Sequence, residues 1–372
     1  MAEPLKNIYN DAFFDSFLAD LPEIDPSVFR TKIYEDDWEN KELKQRMRHI
    51  ALVLGDLLPK SYAEATSIIC QFVERASAKQ RSEMNFEYMF LPDFIEIFGI
   101  DDFETSVKTM TQVTQFTSCE FAVRPFLIRY PDEMMQQMYD WAIHSHAMVR
   151  RLASEGTRPR LPWAMAVPSL KRDPTPILPI LEKLKSDESE TVRRSVANNL
   201  NDIAKDFPET VIELTEKWRG ESKEVDWVIR HGSRTLLKRA NPTVLKNFGL
   251  DSSIPVEILN FELNKSEIAI GDTLNFSFLV KNISAKESPN DSEKEYKLRL
   301  EYAIDYVKSN GKISRKVFQI LEKTIGGVQV LSFQRKQSFK DMTTRKHQEG
   351  QHGIAILVNG QEKAYLSFYV SK

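Results

Sequence analysis

Val149-Arg-Arg-Leu-Ala-Ser-Glu-Gly-Thr-Arg-Pro-Arg-Leu-Pro-Trp163 holds four arginines, one carboxylate, one tryptophan and two prolines in fifteen residues. That leaves too few apolar side chains for a helix buried all round. Its first part returns as Val192-Arg-Arg-Ser-Val-Ala-Asn-Asn199, and again as Val228-Ile-Arg-His-Gly-Ser-Arg234. Val149, Val192 and Val228 lie 43 and 36 residues apart, near the spacing of two-helix HEAT or armadillo units. Such units bury their apolar sides on one another and leave a concave surface free. The chain therefore reads as a repeated helical unit whose polar face carries arginine.

The helical pattern extends outward from about Asn10 to Asn247, with apolar residues recurring at three and four. Between Thr191 and Asp206, Val192, Val196, Leu200 and Ile203 share one side of a helix. Pro159 and Pro162 are expected to end one helix and open the next, which puts Trp163 at a helix start. Pro174, Pro176 and Pro179 mark a further boundary. After Leu250 the character changes. Asp251-Ser-Ser-Ile-Pro255 reads as a linker, and Val256–Leu263, Thr273–Val280, Leu298–Tyr302, Lys316–Ile320 and Ala364–Val370 are β-rich. Gly271-Asp272, Asn310-Gly311, Gly326-Gly327 and Asn359-Gly360 supply turns. About seven short strands imply an immunoglobulin-like architecture, without its two-cysteine signature. The expected fold class is an all-α HEAT-like repeat solenoid over 1–250, followed by an all-β immunoglobulin-like sandwich over 254–372.

Composition narrows the function. No run of about 18 apolar residues exists, so no membrane span is expected. Met1–Asn7 lacks a charged start followed by an apolar stretch, so no secretory signal is visible. Cys70 and Cys119 are too few for a disulfide framework or a four-ligand zinc site, and a reducing cytoplasm is the simplest compartment. The net charge of -3 hides a division. Residues 1–100 carry 11 Lys+Arg against 18 Asp+Glu, residues 143–246 carry 19 against 14, and residues 254–372 carry 18 against 14. The second and third parts could face a polyanion while the first does not.

Several residues could carry chemistry. Ser195, Asn198, Asn199 and Asp202 stand three and four apart on one helical face. They read either as a solvated face, with Asp202 paired to Lys205 or Arg194, or as a groove floor that presents Asp202 to a cationic ligand. Arg230, Arg234 and Lys238 form a row at i, i+4 and i+8 that a phosphate backbone would relieve, or that Glu224 and Asp226 would neutralise. Arg151 and Glu155 could form a surface ion pair. Trp163 could be core, or a flat platform for a base or sugar. Glu120, just before a helix that Pro125 is expected to terminate, has Arg124 available as a partner at i+4. No glycine-rich phosphate loop, HExxH pattern, cysteine pair or Gly-x-Ser-x-Gly elbow is present, so neither metal nor cofactor is expected. His144 and His146 read as surface residues more readily than as metal ligands.

Arg150 to Trp163, Val192 to Asp202 and Trp227 to Arg234 resemble the AlkC family of bacterial DNA alkylation-repair glycosylases, which belongs with AlkD in a HEAT-like-repeat superfamily. The resemblance covers roughly residues 1–250, and many AlkC proteins also carry a C-terminal immunoglobulin-like domain. It implies excision of cationic lesions such as N3-methyladenine and N3-methylcytosine from duplex DNA, without flipping the base. By resemblance Glu120, Glu155, Trp163 and Asp202 are the active-site positions. Arg151, Arg158 and the arginines of the last repeat, Arg230 and Arg234, belong to the DNA-contacting surface. With Arg160, Arg194 and Lys238 they make up the candidate DNA-binding set. The expectation is a monomeric, cytoplasmic, nucleoid-associated hydrolase without cofactor. Two other readings stay open: a HEAT scaffold for a protein partner, and a DNA-binding protein that excises nothing.

Overall fold

The computed structural model describes residues 3–35, 37–79, 85–283, 295–326, 329–342 and 346–372. Among these, sixteen α-helices precede eight strands, as the periodicities require. No described helix is long and apolar enough to cross a membrane. The chain separates into two compact units: Met1–Phe207 with Trp218–Gly232, and Pro208–Lys217 with Ser233–Lys372. The closing helical segments thus group with the sandwich, not with the repeats.

In the first unit, the helices Ala147–Gly156, Glu190–Ile203 and Lys223–Gly232 stack in sequence order, the middle one touching both others. Val149, Val192 and Val228, the three register marks, are all fully buried. Close approach is set by glycine at two helix ends. A Cβ on Gly156 would lie 2.6 Å from Val123, and one on Gly232 2.8 Å from the Leu200 Cβ. Neither gap admits even a methyl group without displacing a neighbour. The sequence reading differs at Glu190–Ile203. Most of its polar stripe does not meet solvent: Ser195, Asn199 and Asp202 are buried along with Val192, Val196 and Leu200, and Asn198 is half-buried. A helix with neighbours on both sides buries both of its faces.

The N-terminal part of this unit is held by aromatic packing. Phe17 meets Phe72 and Phe90 edge-on at 5.0 and 5.2 Å between centroids. Asp93 is buried in the Phe90–Phe98 helix beside this cluster. Burial, and then the charge of Glu96, push its carboxyl up to about 7, against the pull of Arg48 and Lys44. That folded value exceeds the ordinary 3.8, so folding takes up a proton. Stability then falls as pH rises from about 4 to about 7 and is level above that. We expect Asp93→Asn to exceed the wild-type protein in stability by up to about 4 kcal/mol at pH 8, the advantage shrinking toward pH 4. Urea unfolding across this range tests it; a pH-independent difference would refute the assignment.

The sandwich comprises β1 Val256–Leu263, β2 Glu267–Ala269, β3 Thr273–Asn282, β4 Tyr296–Val307, β5 Ile313–Ile325, β6 Val330–Ser338, β7 Gly350–Val358 and β8 Gln361–Ser371. One sheet has the order β1-β3-β6, the other β2-β8-β7-β4-β5. All pairings are antiparallel except β2 with β8. Alternation in β3 turns Leu274, Phe276, Phe278 and Val280 inward, into one core with Leu300, Ile304, Ile354 and Ile356. The predicted Asn359-Gly360 turn joins β7 to β8 with φ of 48° and 79°, the left-handed pair that a two-residue hairpin needs. The Asn359 side chain also accepts from Arg299 N and donates to Asp251 O and Lys297 O. It thereby pins the expected linker at 251–255 to the sheet, which is one reason those residues belong with the sandwich. Gly327 lies outside the described residues.

Candidate active site

Glu155 sits in the last turn of Ala147–Gly156, 5% exposed, and its two oxygens take different partners. Oε1 meets Arg158 Nη1 at 2.6 Å, and Oε2 accepts from Ser195 Oγ at 2.6 Å. Arg158 reaches on to Asp202 through Nε at 2.8 Å. Asp202 also holds Lys205 Nζ at 2.9 Å. On the other side of Glu155, Arg151 lies 3.8 Å away and binds Glu120 Oε2 at 2.9 Å. Ser118 Oγ donates to the same Glu120 oxygen and accepts from Arg151. The result is an alternating chain of charge: Glu120, Arg151, Glu155, Arg158, Asp202, Lys205.

Burial removes water from most of this chain, so each attraction is stronger but is set against the desolvation of its charges, and each link tolerates the loss of a partner poorly. Arg158 shows the balance. Burial opposes its charge, yet Glu155 and Asp202 outweigh that and raise its pKa.

A cleft of about 310 Å³ opens onto one end of the chain. Glu120, Arg151, Glu155, Arg158 and Trp163 line it, with Phe86, Met89 and Phe121 as apolar wall. Trp163 is 64% exposed and adopts a left-handed φ of 65°, which a tryptophan rarely does. It is not at a helix start. Ala147–Gly156 ends, residues 157–167 form an irregular loop, and the next helix opens at Pro168. Asp202 is 1% exposed and does not line the cleft; Arg158 connects it to Glu155.

Three expectations change at the residue level. Arg124 does not pair with Glu120. Its guanidinium donates to the carbonyls of Gly156, Arg158 and Met165, while Arg151, from a different helix, takes Glu120. Pro125 does not end a helix but sits in the first turn of Val123–Arg129, where its missing N–H costs nothing. The single row of Arg230, Arg234 and Lys238 is broken at Ser233, where Lys223–Gly232 stops and a short helix, Arg234–Lys238, begins.

Among the other cations, Arg158 is built as a strut between two carboxylates, not as an exposed hook. Arg160 is partly exposed and grips Asp206 bidentately. Arg194 is exposed and pairs with Glu190. Arg230 and Arg234 are half-buried and Lys238 is exposed. His144 and His146 serve the backbone: His146 Nδ1 accepts from Met148 N to cap its helix, and His144 Nδ1 accepts from His146 N. In the sandwich, Arg315 is held by Asp305 and Glu362, Arg335 and Lys336 flank an open groove, and Arg345 lies outside the described residues. Missed from the sequence were Ser118, which together with Ser195 fixes the carboxylates, and the cleft wall of Phe86, Met89 and Phe121. No spacing relates them to the charged residues.

The family model described as "DNA alkylation repair enzyme" matches residues 30–238. The chain belongs to that family. A second model, "Uncharacterised protein YhaZ, C-terminal Ig-like domain", matches residues 257–372, the eight-stranded part. "Uncharacterized protein YhaZ" of Bacillus subtilis (strain 168) is 40% identical over 370 residues, 98% of this chain and 99% of the relative. Among solved structures, the alkylpurine DNA glycosylase AlkC of Pseudomonas fluorescens, bound to DNA containing an abasic site analog, superposes with a TM-score of 0.89. It is 33% identical and covers all of both chains. The resemblance to AlkC and the fold of helices followed by a sandwich both hold.

Proposed function

We propose that the protein is a monofunctional DNA glycosylase that releases cationic alkylated bases, N3-methyladenine and N3-methylcytosine, from duplex DNA without flipping them into a pocket. The observation that carries this is the meeting of two carboxylates, Glu120 and Glu155, with an exposed indole, Trp163, on one cleft. An alkylated base that already carries positive charge leaves without being protonated. The difficult species is the sugar, which becomes oxocarbenium-like as the bond breaks. Carboxylates aimed at it stabilise that charge, and one of them orients the attacking water. The face of Trp163 packs on the deoxyribose, whose C–H bonds grow more positive in the same step. Asp202, behind Arg158, completes the acidic row. Neutral bases are poor leaving groups, so selectivity follows without a tight base pocket. The similarity to a glycosylase solved on abasic-site DNA supports this reading over a protein scaffold.

The decisive experiment incubates the protein with methylated duplex DNA in chelator-containing buffer and measures free base. Released 3-methyladenine is expected; retarded DNA without release would leave a binder only, and neither would favour a scaffold. Phosphate contact is proposed for Arg160, Arg194, Arg230, Arg234 and Lys238. Arg230→Ala, Arg234→Ala and Lys238→Ala are each expected to weaken duplex binding and to reduce the salt slope by about one. Affinity measured across a salt series checks this, and an unchanged slope speaks against phosphate contact.

A further inference from the structure

The loop 157–167 presents the most exposed tryptophan of the described chain from a strained backbone. Such a conformation persists only where its surroundings impose it. Two cations from distant elements supply that constraint. Arg124, in Val123–Arg129, is 1% exposed. Its Nη1 donates to Gly156 O at 2.9 Å and Arg158 O at 3.0 Å, and its Nε donates to Met165 O, so it grips both ends of the loop. Lys44, in the first turn of the helix Leu43–Leu57, donates from Nζ to the carbonyl of Trp163 itself, at 2.8 Å. The same ammonium stands 5.3 Å from the centroid of Phe121, which lines the cleft. Among the described residues neither cation takes a carboxylate partner. Burial, then the charge of Arg158, lower the Arg124 pKa to about 10, the cost of placing a guanidinium there to bind backbone.

We infer that Arg124 and Lys44 are positioning residues that brace Trp163 from two sides, so that its indole meets the sugar already oriented. Lys44 acts through the carbonyl at the strained residue, and Arg124 fixes where the loop enters and leaves. The kinetic side of this inference rests on the glycosylase reading; the structural side does not.

The test uses the full-length protein with Lys44→Met, Lys44→Arg and Arg124→Lys, each checked for its unfolding temperature. The first readout needs no DNA: trypsin cleavage of the native protein at the Arg160–Leu161 bond, followed by mass spectrometry. Lys44→Met is expected to raise that rate about tenfold, because local opening becomes easier. Lys44→Arg should restore it, since a guanidinium can still donate to the carbonyl and stack on Phe121. The second readout is excision. Lys44→Met should lower the rate at saturating enzyme about tenfold, with half-saturation within about twofold, as expected for misplacement of a correctly bound site. In a Trp163→Ala background it should add nothing, because both changes remove the same contact.

Unchanged cleavage in Lys44→Met overturns the brace. So do losses that add to Trp163→Ala with a shallower salt slope, which would make Lys44 a phosphate contact. If the wild-type protein releases no base, the functional reading fails and the cleavage result alone decides. Arg124→Lys keeps the charge but loses the fork; should it fail to fold, the Lys44 pair stands by itself.

Discussion

Asp202→Asn is expected to bind methylated duplex within about twofold of wild type and to release 3-methyladenine about 10²–10³ times more slowly. Asparagine keeps the shape and an acceptor oxygen for Lys205 or Arg158 but loses the charge. At 1% exposure the Asp202 carboxylate lies behind the cleft and balances Arg158, which lines it, in a water-poor setting where an unbalanced positive charge beside a developing cation has its largest effect. The fold should survive because Arg158 keeps its 2.6 Å contact with Glu155. The stability cost therefore stays below the roughly 3–5 kcal/mol of a fully orphaned buried charge. Single-turnover rates with enzyme in excess separate chemistry from affinity. A rate within about threefold of wild type, far short of the electrostatic loss expected, would remove Asp202 from the site.

The spacing left Asp202 either on a solvated face or on a groove floor; how it is held was not readable. Helical periodicity put Ser195, Asn199 and Asp202 on one face, and that placement is right. Periodicity says nothing about what a face meets. Here it meets the preceding repeat, where Ser195 Oγ contacts Ser154 and Glu155, and Asn199 reaches the Ser154 carbonyl. Small side chains on both helices, Ser154 and Ser195, were the available hint of close contact. Glu120 shows the same limit. Its partner comes from 31 residues away, because Glu120 lies in the loop before Val123–Arg129, where i+4 geometry does not apply. In the sandwich, β1 keeps the bounds read from the sequence although a bulge between Leu259 and Glu262 shifts its alternation, and the Asn359-Gly360 turn follows from the ease with which both residue types take positive φ. β7 was harder to read: Gly353 to Val358 is buried on both faces, and a continuous apolar run carries no period.

Arg158→Met should be the most damaging change to the fold, lowering unfolding free energy by about 3–5 kcal/mol. Methionine replaces the aliphatic stem out to about the Nε position, so most of the packing survives while the cation between Glu155 and Asp202 disappears. Two buried carboxylates then face each other across an apolar stem. Like charges that cannot separate take up a proton instead, so the deficit should be smaller at pH 5 than at pH 8. Arg160→Met is the internal control. It lies two residues along the same loop, but its pair with Asp206 is about one-third exposed on each side, and such pairs contribute about 0–1 kcal/mol. If Arg158 served mainly to grip phosphate, the order would reverse: stability would hold, and the salt slope of DNA binding would drop by about one. Denaturant curves for the two variants at both pH values, set beside their salt series, distinguish a strut from a hook. The strut follows from the geometry, since a guanidinium engaged by two carboxylates on both edges has little left to offer a phosphate.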